Sequence, residues 1–238
     1  MNLRIGDQLL LGLYLASEMK AYPVAKLFFW TPSGYPRRRF RALVRRLVRT
    51  GRLEQLVVSG QVRLRLKTAG REELFRRFPI LTSAGKVWDG FWRVLLFDIP
   101  EAKRKERDGL RRRLLKLGFG RLQDSTYLSP YDFDPALFGN GIFFMEAKQK
   151  HLGDPKQLAD KIWHLDQLAT DYRQVTDRLT TRFGIKDAKK RDEFLRKTHQ
   201  EFLEIFITDP FLPPELLPVD WPAAKCRKFL LQAGVVKE

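Results

Sequence analysis

Arginines at helical spacing are the side chains of this sequence that point most clearly to a chemical function. Four of them lie three or four residues apart after Pro36, so they share one face if this segment is a helix. A guanidinium group stays charged in proteins and binds phosphate oxygens through paired hydrogen bonds. The spacing therefore predicts a surface that binds phosphate groups. The four residues are Arg38, Arg41, Arg45 and Arg49.

Asp98 is the carboxylate that points to a different chemistry. It ends the apolar run 92–97 and lies two residues before Pro100. A carboxylate at a strand end can bind a divalent cation when a second carboxylate faces it. The same position also suits a residue that accepts backbone N–H groups where a helix begins. Because no acidic partner stands at helical or strand spacing, we favour the helix cap and predict no metal and no cofactor.

Other candidate sites are weaker. Arg104, Arg107 and Arg111 share one face of the helix predicted after Asp98 and could bind phosphates of DNA or of a ligand, although a solvated surface is the commoner explanation. Cys226 is the single cysteine, so no intramolecular disulfide forms and a reducing, cytoplasmic location is expected. The histidines lack the spacing of a zinc site, and we interpret His164 and His199 as structural.

The net charge of the chain limits the classes of partner that it can bind. The chain has 45 basic and 28 acidic residues, for a formal charge of +17. Segment 37–77 alone has fourteen basic and three acidic residues. A local excess of this size favours a polyanion such as nucleic acid. The apolar run 9–16 is shorter than the roughly 20 residues needed to cross a bilayer, so we expect no membrane partner.

The elements around the arginines predict a DNA-binding module. A helix over 6–19 is followed by a second helix that begins near Pro36 and ends at Gly51, with its apolar residues opposite the arginines. Two predicted strands then flank a tight turn at Ser59 and Gly60, and polar and apolar residues alternate in the second strand. A further helix covers 69–78. With a short helix before the arginine-faced helix, this order is that of a winged helix-turn-helix domain, in which the third helix enters the major groove and the hairpin contacts DNA beside it.

We therefore predict an N-terminal winged helix-turn-helix domain over residues 1–86 that binds double-stranded DNA. Its hairpin should have basic tips and edges. The candidate DNA contacts are Arg37, Arg38, Arg39, Arg41, Arg45, Arg49, Arg63 and Arg65. A solvated helix face is the alternative explanation for the arginine pattern, but few acidic residues lie nearby to neutralise it.

The rest of the chain predicts two more domains and an α+β fold class. Residues 87–153 have a strand at 92–98, a helix to about Leu117 and strands at 121–130 and 141–147, which is typical of a ferredoxin-like α/β sandwich. Residues 154–238 form a predicted helical domain for dimerisation or effector binding. It contains one long helix from Pro155 to Gly184 and a second from Asp187, both with apolar stripes.

Three segments resemble one family, the PaaX-type transcriptional repressors of phenylacetate catabolism. They are "GYPRRRFRALVRRLVRTGRLE" with "RLKTAGREEL", then "WRVLLFDIPEAKRKERDGLRRRLLKLGFGRLQDSTYLSP", and finally "DPFLPPELLPVDWPAAKC". The resemblance implies a homodimeric repressor that leaves its operator when it binds an aryl-CoA thioester such as phenylacetyl-CoA. Arg104, Arg107 and Arg111 are then candidates for the effector phosphates. Segment 132–140 departs from the family pattern, because it leaves room for barely one turn of a crossover helix.

Two other functions stay open at this point. The central segment is also similar to the small nuclease subunit of CRISPR adaptation complexes, whose metal-binding aspartate would fall on Asp98. A metal-dependent endonuclease is therefore the alternative to a regulator without enzyme activity. A basic scaffold that binds any polyanion is the third hypothesis, and it predicts no preference among polyanions.

Overall fold

A computed structural model describes residues 3–16, 22–139, 141–149 and 153–233. Helices and two antiparallel sheets make up the fold, so the predicted α+β class is confirmed. Contacts between Cα atoms divide the chain into two compact units. The first unit consists of Met1–Arg77, Ala169–Thr208 and Pro222–Glu238, and the second of Phe78–Leu168 and Asp209–Trp221. The three consecutive domains expected from the sequence, divided after residues 86 and 153, remain a prediction.

The first unit combines a small sheet with helices from both ends of the chain. Its N-terminal elements are α1 (Ile5–Leu15), β1 (Tyr22–Pro23), α2 (Val24–Leu27), α3 (Arg37–Arg49), β2 (Leu53–Val58), β3 (Gln61–Leu66) and α4 (Thr68–Arg77). Its later helices are α7 (Leu165–Thr181, from residue 169 onward), α8 (Ala188–Phe206) and α9 (Ala223–Gln232). The sheet has the strand order β1-β3-β2, with all pairs antiparallel.

Trp30 lies at the centre of the first unit and is fully buried. Gly12 of α1 packs directly on its indole ring, since a Cβ added at this glycine would lie 2.7 Å from the ring. On the other side, the ring of Phe202 in α8 lies 6.4 Å from that of Trp30. The N-terminal helices and α8 therefore share one apolar core.

The second unit is built on a four-stranded sheet. Its elements are β4 (Phe91–Phe97), α5 (Arg104–Lys116), β5 (Gly120–Gln123), β6 (Thr126–Ser129), β7 (Ile142–Lys148) and α6 (Pro155–Trp163). The strand order is β5-β6-β4-β7, all antiparallel, and α5 connects β4 to β5. This order is consistent with the predicted ferredoxin-like sandwich.

Both faces of that sheet are covered, as the apolar run in β4 predicts. Leu95 and Phe97 point toward α5, where they pack with Leu110 and Leu114. Trp92 points to the opposite face, which α6 and segment 212–216 cover. Successive side chains of a strand alternate between faces, so a continuous apolar strand needs a layer on each side.

Three details of the sequence prediction differ in the structure. The strand predicted over 121–130 is a hairpin of β5 and β6, which turns at Asp124 and Ser125. The helix predicted from Pro155 to Gly184 is two helices, because His164 has φ of 53° and ends α6 in a left-handed conformation. Between β6 and β7, a single 3-10 turn at Pro135–Leu137 agrees with the short crossover expected there.

Some predictions concern residues outside the described ranges. These are positions 17–19 of the first predicted helix, Asn140 at the end of the short crossover, and His151. Within the described ranges, every helix falls short of the length and apolar character that crossing a membrane requires.

Candidate nucleic-acid interface

Helix α3 has the two faces that its sequence predicts. Phe40, Leu43, Val44 and Leu47 are buried. Its end is fixed by a Schellman motif around Gly51, which has φ of 69°: the Gly51 N–H donates to the Val48 carbonyl and the Arg52 N–H to the Leu47 carbonyl. The buried face holds the helix against the core, so the opposite face is fixed toward solvent.

The arginines of α3 are exposed and have no acidic partner. No ion pair within the described residues involves any of the seven, which are Arg37, Arg38, Arg39, Arg41, Arg45, Arg46 and Arg49. Arg46 is not among the predicted contacts, although it falls beside Arg39 on the flank of the stripe. Arg37 also packs on the ring of Phe28, with 4.6 Å between its guanidinium carbon and the ring centre.

A groove separates α3 from the hairpin of β2 and β3. Its volume is about 430 Å³, and Phe40, Val44 and Val62 contribute apolar surface to it. Three arginines, Arg38, Arg41 and Arg45, line the same groove together with Val24 and Gln55. Among the described residues, the lining therefore has three cations and no anion, which suits the binding of a sugar-phosphate backbone.

The hairpin differs from the predicted basic wing. Its turn is as predicted, with Ser59 at φ 51° and Gly60 at φ 73°. Arg63 is partly buried and Arg65 is exposed, but the Arg65 guanidinium donates to the Glu54 carboxylate over 2.6 Å. The tip itself presents exposed valines rather than arginines. The expectation of a basic tip is therefore wrong, because valines occupy the positions next to the turn and the arginines lie further along β3.

Helix α8 holds the segment that leads into α3. The Arg196 guanidinium carbon lies 3.7 Å from the centre of the Phe28 ring, and the side chain donates to the Pro32 carbonyl over 3.2 Å. Gln200 donates to the Trp30 carbonyl over 3.1 Å. These contacts join residues more than 160 positions apart, and the sequence contained no signal for them. The last third of the chain thus helps to position the arginine helix.

His199 lies between these two residues on α8 and is buried. Its ring meets the Trp30 ring edge-on at 4.7 Å, and its Nδ1 lies 2.7 Å from the Leu195 carbonyl oxygen. Burial lowers the pKa of His199 to about 4, so the ring is neutral at physiological pH. This environment agrees with the structural role that we expected.

The three candidate arginines of α5 are paired with acids. Arg107 donates to the Glu101 carboxylate over 2.6 Å and, mainly through this hydrogen bond, holds the pKa of Glu101 below its ordinary value. Arg104 and Arg111 each lie 3.8 Å from a carboxylate oxygen of Asp108. A phosphate that bound here would have to displace these carboxylates.

Asp98 lies exposed after β4. The following helical turn has no side-chain cap, so the predicted capping bond is not formed. In the described part of the chain, no group of three or more His, Cys, Asp or Glu side chains is arranged to hold a metal ion.

Two parts of the chain match sequence models of one protein family. Residues 85–138 match the PaaX protein central Cas2-like domain, and residues 163–235 match the PaaX-like protein C-terminal domain. The chain belongs to the PaaX family. Membership in the PaaX family supports a PaaX-like regulator and does not favour the nuclease alternative.

One solved structure resembles this PaaX-family chain over most of its length. It is the uncharacterized protein Rv0674 from Mycobacterium tuberculosis, with a TM-score of 0.55 and 21% sequence identity. The match covers 92% of this chain and 90% of that protein, and at this identity it bears on the fold alone. No protein with a curated description matches the sequence.

Proposed function

We propose that this PaaX-family chain is a DNA-binding transcriptional regulator. The observation that carries the proposal is the exposed arginine face of α3, which has no acidic partner among the described residues, beside the groove that Arg38, Arg41 and Arg45 line. In this proposal α2 and α3 with the hairpin act as a winged helix-turn-helix module. Helix α3 enters the major groove, and the adjacent groove of the protein receives one sugar-phosphate strand.

The proposed mechanism is repression by occupancy. A cytoplasmic homodimer presents two copies of α3 to a palindromic operator, and an aryl-CoA thioester favours a conformation that does not fit the operator. The regulated genes would then be those for degradation of an aromatic acid such as phenylacetate. Arg104, Arg107 and Arg111 stay candidates for the effector phosphates, each exchanging a carboxylate for a phosphate oxygen.

A mobility-shift assay with DNA from upstream of the protein's own gene tests the regulator. We expect binding at nanomolar-scale protein, a clear preference over random DNA, and release by phenylacetyl-CoA. Equal affinity for upstream and random DNA would reject a sequence-specific regulator and favour the basic scaffold. A shift on upstream DNA that phenylacetyl-CoA does not reverse would reject only the effector.

Single arginine substitutions test the proposed contact surface. Arg45→Ala should weaken DNA binding and make the slope of log affinity against log salt less steep by about 0.9, because one phosphate contact is lost. Arg173→Ala is the matched control, since Arg173 is exposed on α7 and lies outside the proposed surface. Equal losses from both variants would show that overall charge, rather than α3, determines binding.

A further inference from the structure

The tip of the hairpin is an exposed apolar surface. Val57 is 71% exposed, Val62 44% and Val58 39%. Val57 and Val62 are cross-strand neighbours, and two residues further from the turn on the same face lie Gln55 and the fully buried Leu64. The apolar face of the hairpin is therefore buried at Leu64 and exposed to solvent at Val57 and Val62. β-Branched residues stabilise strands, but threonine would do so without exposing as much apolar surface.

The position of the tip indicates what covers it. Val62 lines the same groove as Arg38, Arg41 and Arg45, and no acidic residue in the described part of the chain lines it. A ligand that contacts Val62 in this groove therefore meets three guanidinium groups as well. A second copy of the chain has the same +17 charge and would bring the same cations to this surface. Charge complementarity thus favours a polyanion over another copy.

We propose that the valine tip is an apolar DNA contact, in which Val57 and Val62 pack against deoxyribose edges of the duplex that α3 holds. The inference rests on the proposed function and adds a second kind of contact to it. Sugar edges supply apolar C–H groups at every nucleotide, so this contact reads the shape of the groove rather than its bases. Because it neutralises no phosphate, it contributes affinity that does not depend on salt.

The double variant Val57→Thr/Val62→Thr tests the contact in the full-length protein. Threonine preserves the branched shape and the preference for strands but adds a hydroxyl group. The probe is the upstream DNA duplex, titrated over a series of potassium chloride concentrations. We expect affinity to fall about five- to tenfold with an unchanged salt slope. Arg45→Ala, measured in parallel, should change the slope.

Two exposed valines elsewhere serve as matched controls. Val87 is 80% exposed and Val219 is 84% exposed, and both belong to the second unit. Val87→Thr and Val219→Thr should leave DNA affinity unchanged. Thermal unfolding of every variant is measured first. If the double variant unfolds at a lower temperature, the single variant Val57→Thr, at the most exposed tip position, replaces it.

The outcomes separate the inference from the function on which it rests. Unchanged affinity of the double variant, with a reduced slope for Arg45→Ala, overturns the valine contact and leaves the regulator intact. Failure of the unmodified protein to prefer upstream DNA overturns both. A changed sedimentation coefficient with unchanged DNA affinity also overturns the inference, because the tip would then be a contact between protein chains.

Discussion

Arg65 and the arginines of α3 differ in their partners, although the sequence predicts the same role for all of them. The Arg65 side chain donates twice to one oxygen of the Glu54 carboxylate, and both side chains are partly exposed. An exposed pair of this kind contributes little to stability. Its larger effect is to neutralise one cation next to the proposed DNA surface.

Glu54→Gln should therefore strengthen DNA binding. Removal of the carboxylate frees Arg65 for a phosphate, so we expect a few-fold higher affinity and a salt slope steeper by up to about 0.9. The measurement is fluorescence anisotropy of labelled upstream DNA at several salt concentrations. Glu201→Gln is the control, because Glu201 pairs with Arg178 away from α3. The same gain in both variants would assign the effect to net charge.

Burial of His199 makes stability depend on pH. Its pKa is lowered from 6.5 to about 4, so the unfolded chain binds more protons than the folded chain between these values. The free energy of unfolding should therefore fall as pH decreases from about 6.5 to about 4, and this histidine should account for about 2 kcal/mol of that loss by about pH 5.

Urea unfolding of the protein and of His199→Gln at neutral pH and at about pH 5 measures this contribution. The glutamine side chain does not titrate, so the variant should lose less stability on acidification than the unmodified protein. An identical loss in both proteins would mean that other groups cause the acid sensitivity.

At the scale of elements, α1 depends on a glycine at its closest approach to Trp30. A Cβ at position 12 would lie 2.7 Å from the nearest atoms of the Trp30 indole ring, which is fully buried. Gly6, in the same helix, has no atom within 4 Å of the corresponding position. The two glycines are alike in the sequence, and only the packing distinguishes them.

Gly12→Ala should destabilise the protein by about 1 to 3 kcal/mol, because the added methyl group forces α1 away from Trp30. Gly6→Ala should stabilise it by about 0.4 to 1 kcal/mol through the smaller conformational entropy of the unfolded chain. Urea unfolding monitored by tryptophan fluorescence checks both values. Stabilisation by Gly12→Ala would contradict the close contact between α1 and the ring.

Helix α8 is the element whose packing partner the sequence left undetermined. Its apolar spacing predicts a buried face, and Leu195, Phe202 and Leu203 are indeed buried. Periodicity does not specify which element covers such a face, because any apolar surface of suitable shape would serve. In the structure that surface includes Trp30, and Arg196 and Gln200 add polar contacts to the segment before α3.

At the scale of the whole molecule, the first unit joins the N-terminal elements to helices α7 to α9. A fragment of residues 1–86, the predicted DNA-binding domain, lacks these helices and would expose Trp30 and Phe28. We expect this fragment to unfold at a lower temperature and less cooperatively than the full chain. Thermal unfolding followed by circular dichroism is the measurement. A cooperative transition at the full-length temperature would establish an independent domain.

The local elements of the proposed interface follow from the amino-acid sequence alone. The apolar and basic faces of α3, its end at Gly51 and the turn at Ser59 and Gly60 all follow from residues a few positions apart. Helical periodicity and turn geometry depend on such near neighbours, so they can be predicted without knowledge of the fold.

Which of these residues are available to contact DNA depends on long-range packing. The Glu54 partner of Arg65 depends on strand register, and the exposure of Val57 depends on how far the hairpin extends beyond the core. The hydrogen bond from Arg196 to the Pro32 carbonyl joins segments 164 residues apart. Such contacts arise from the competition of all apolar surfaces for burial, which a local pattern does not specify.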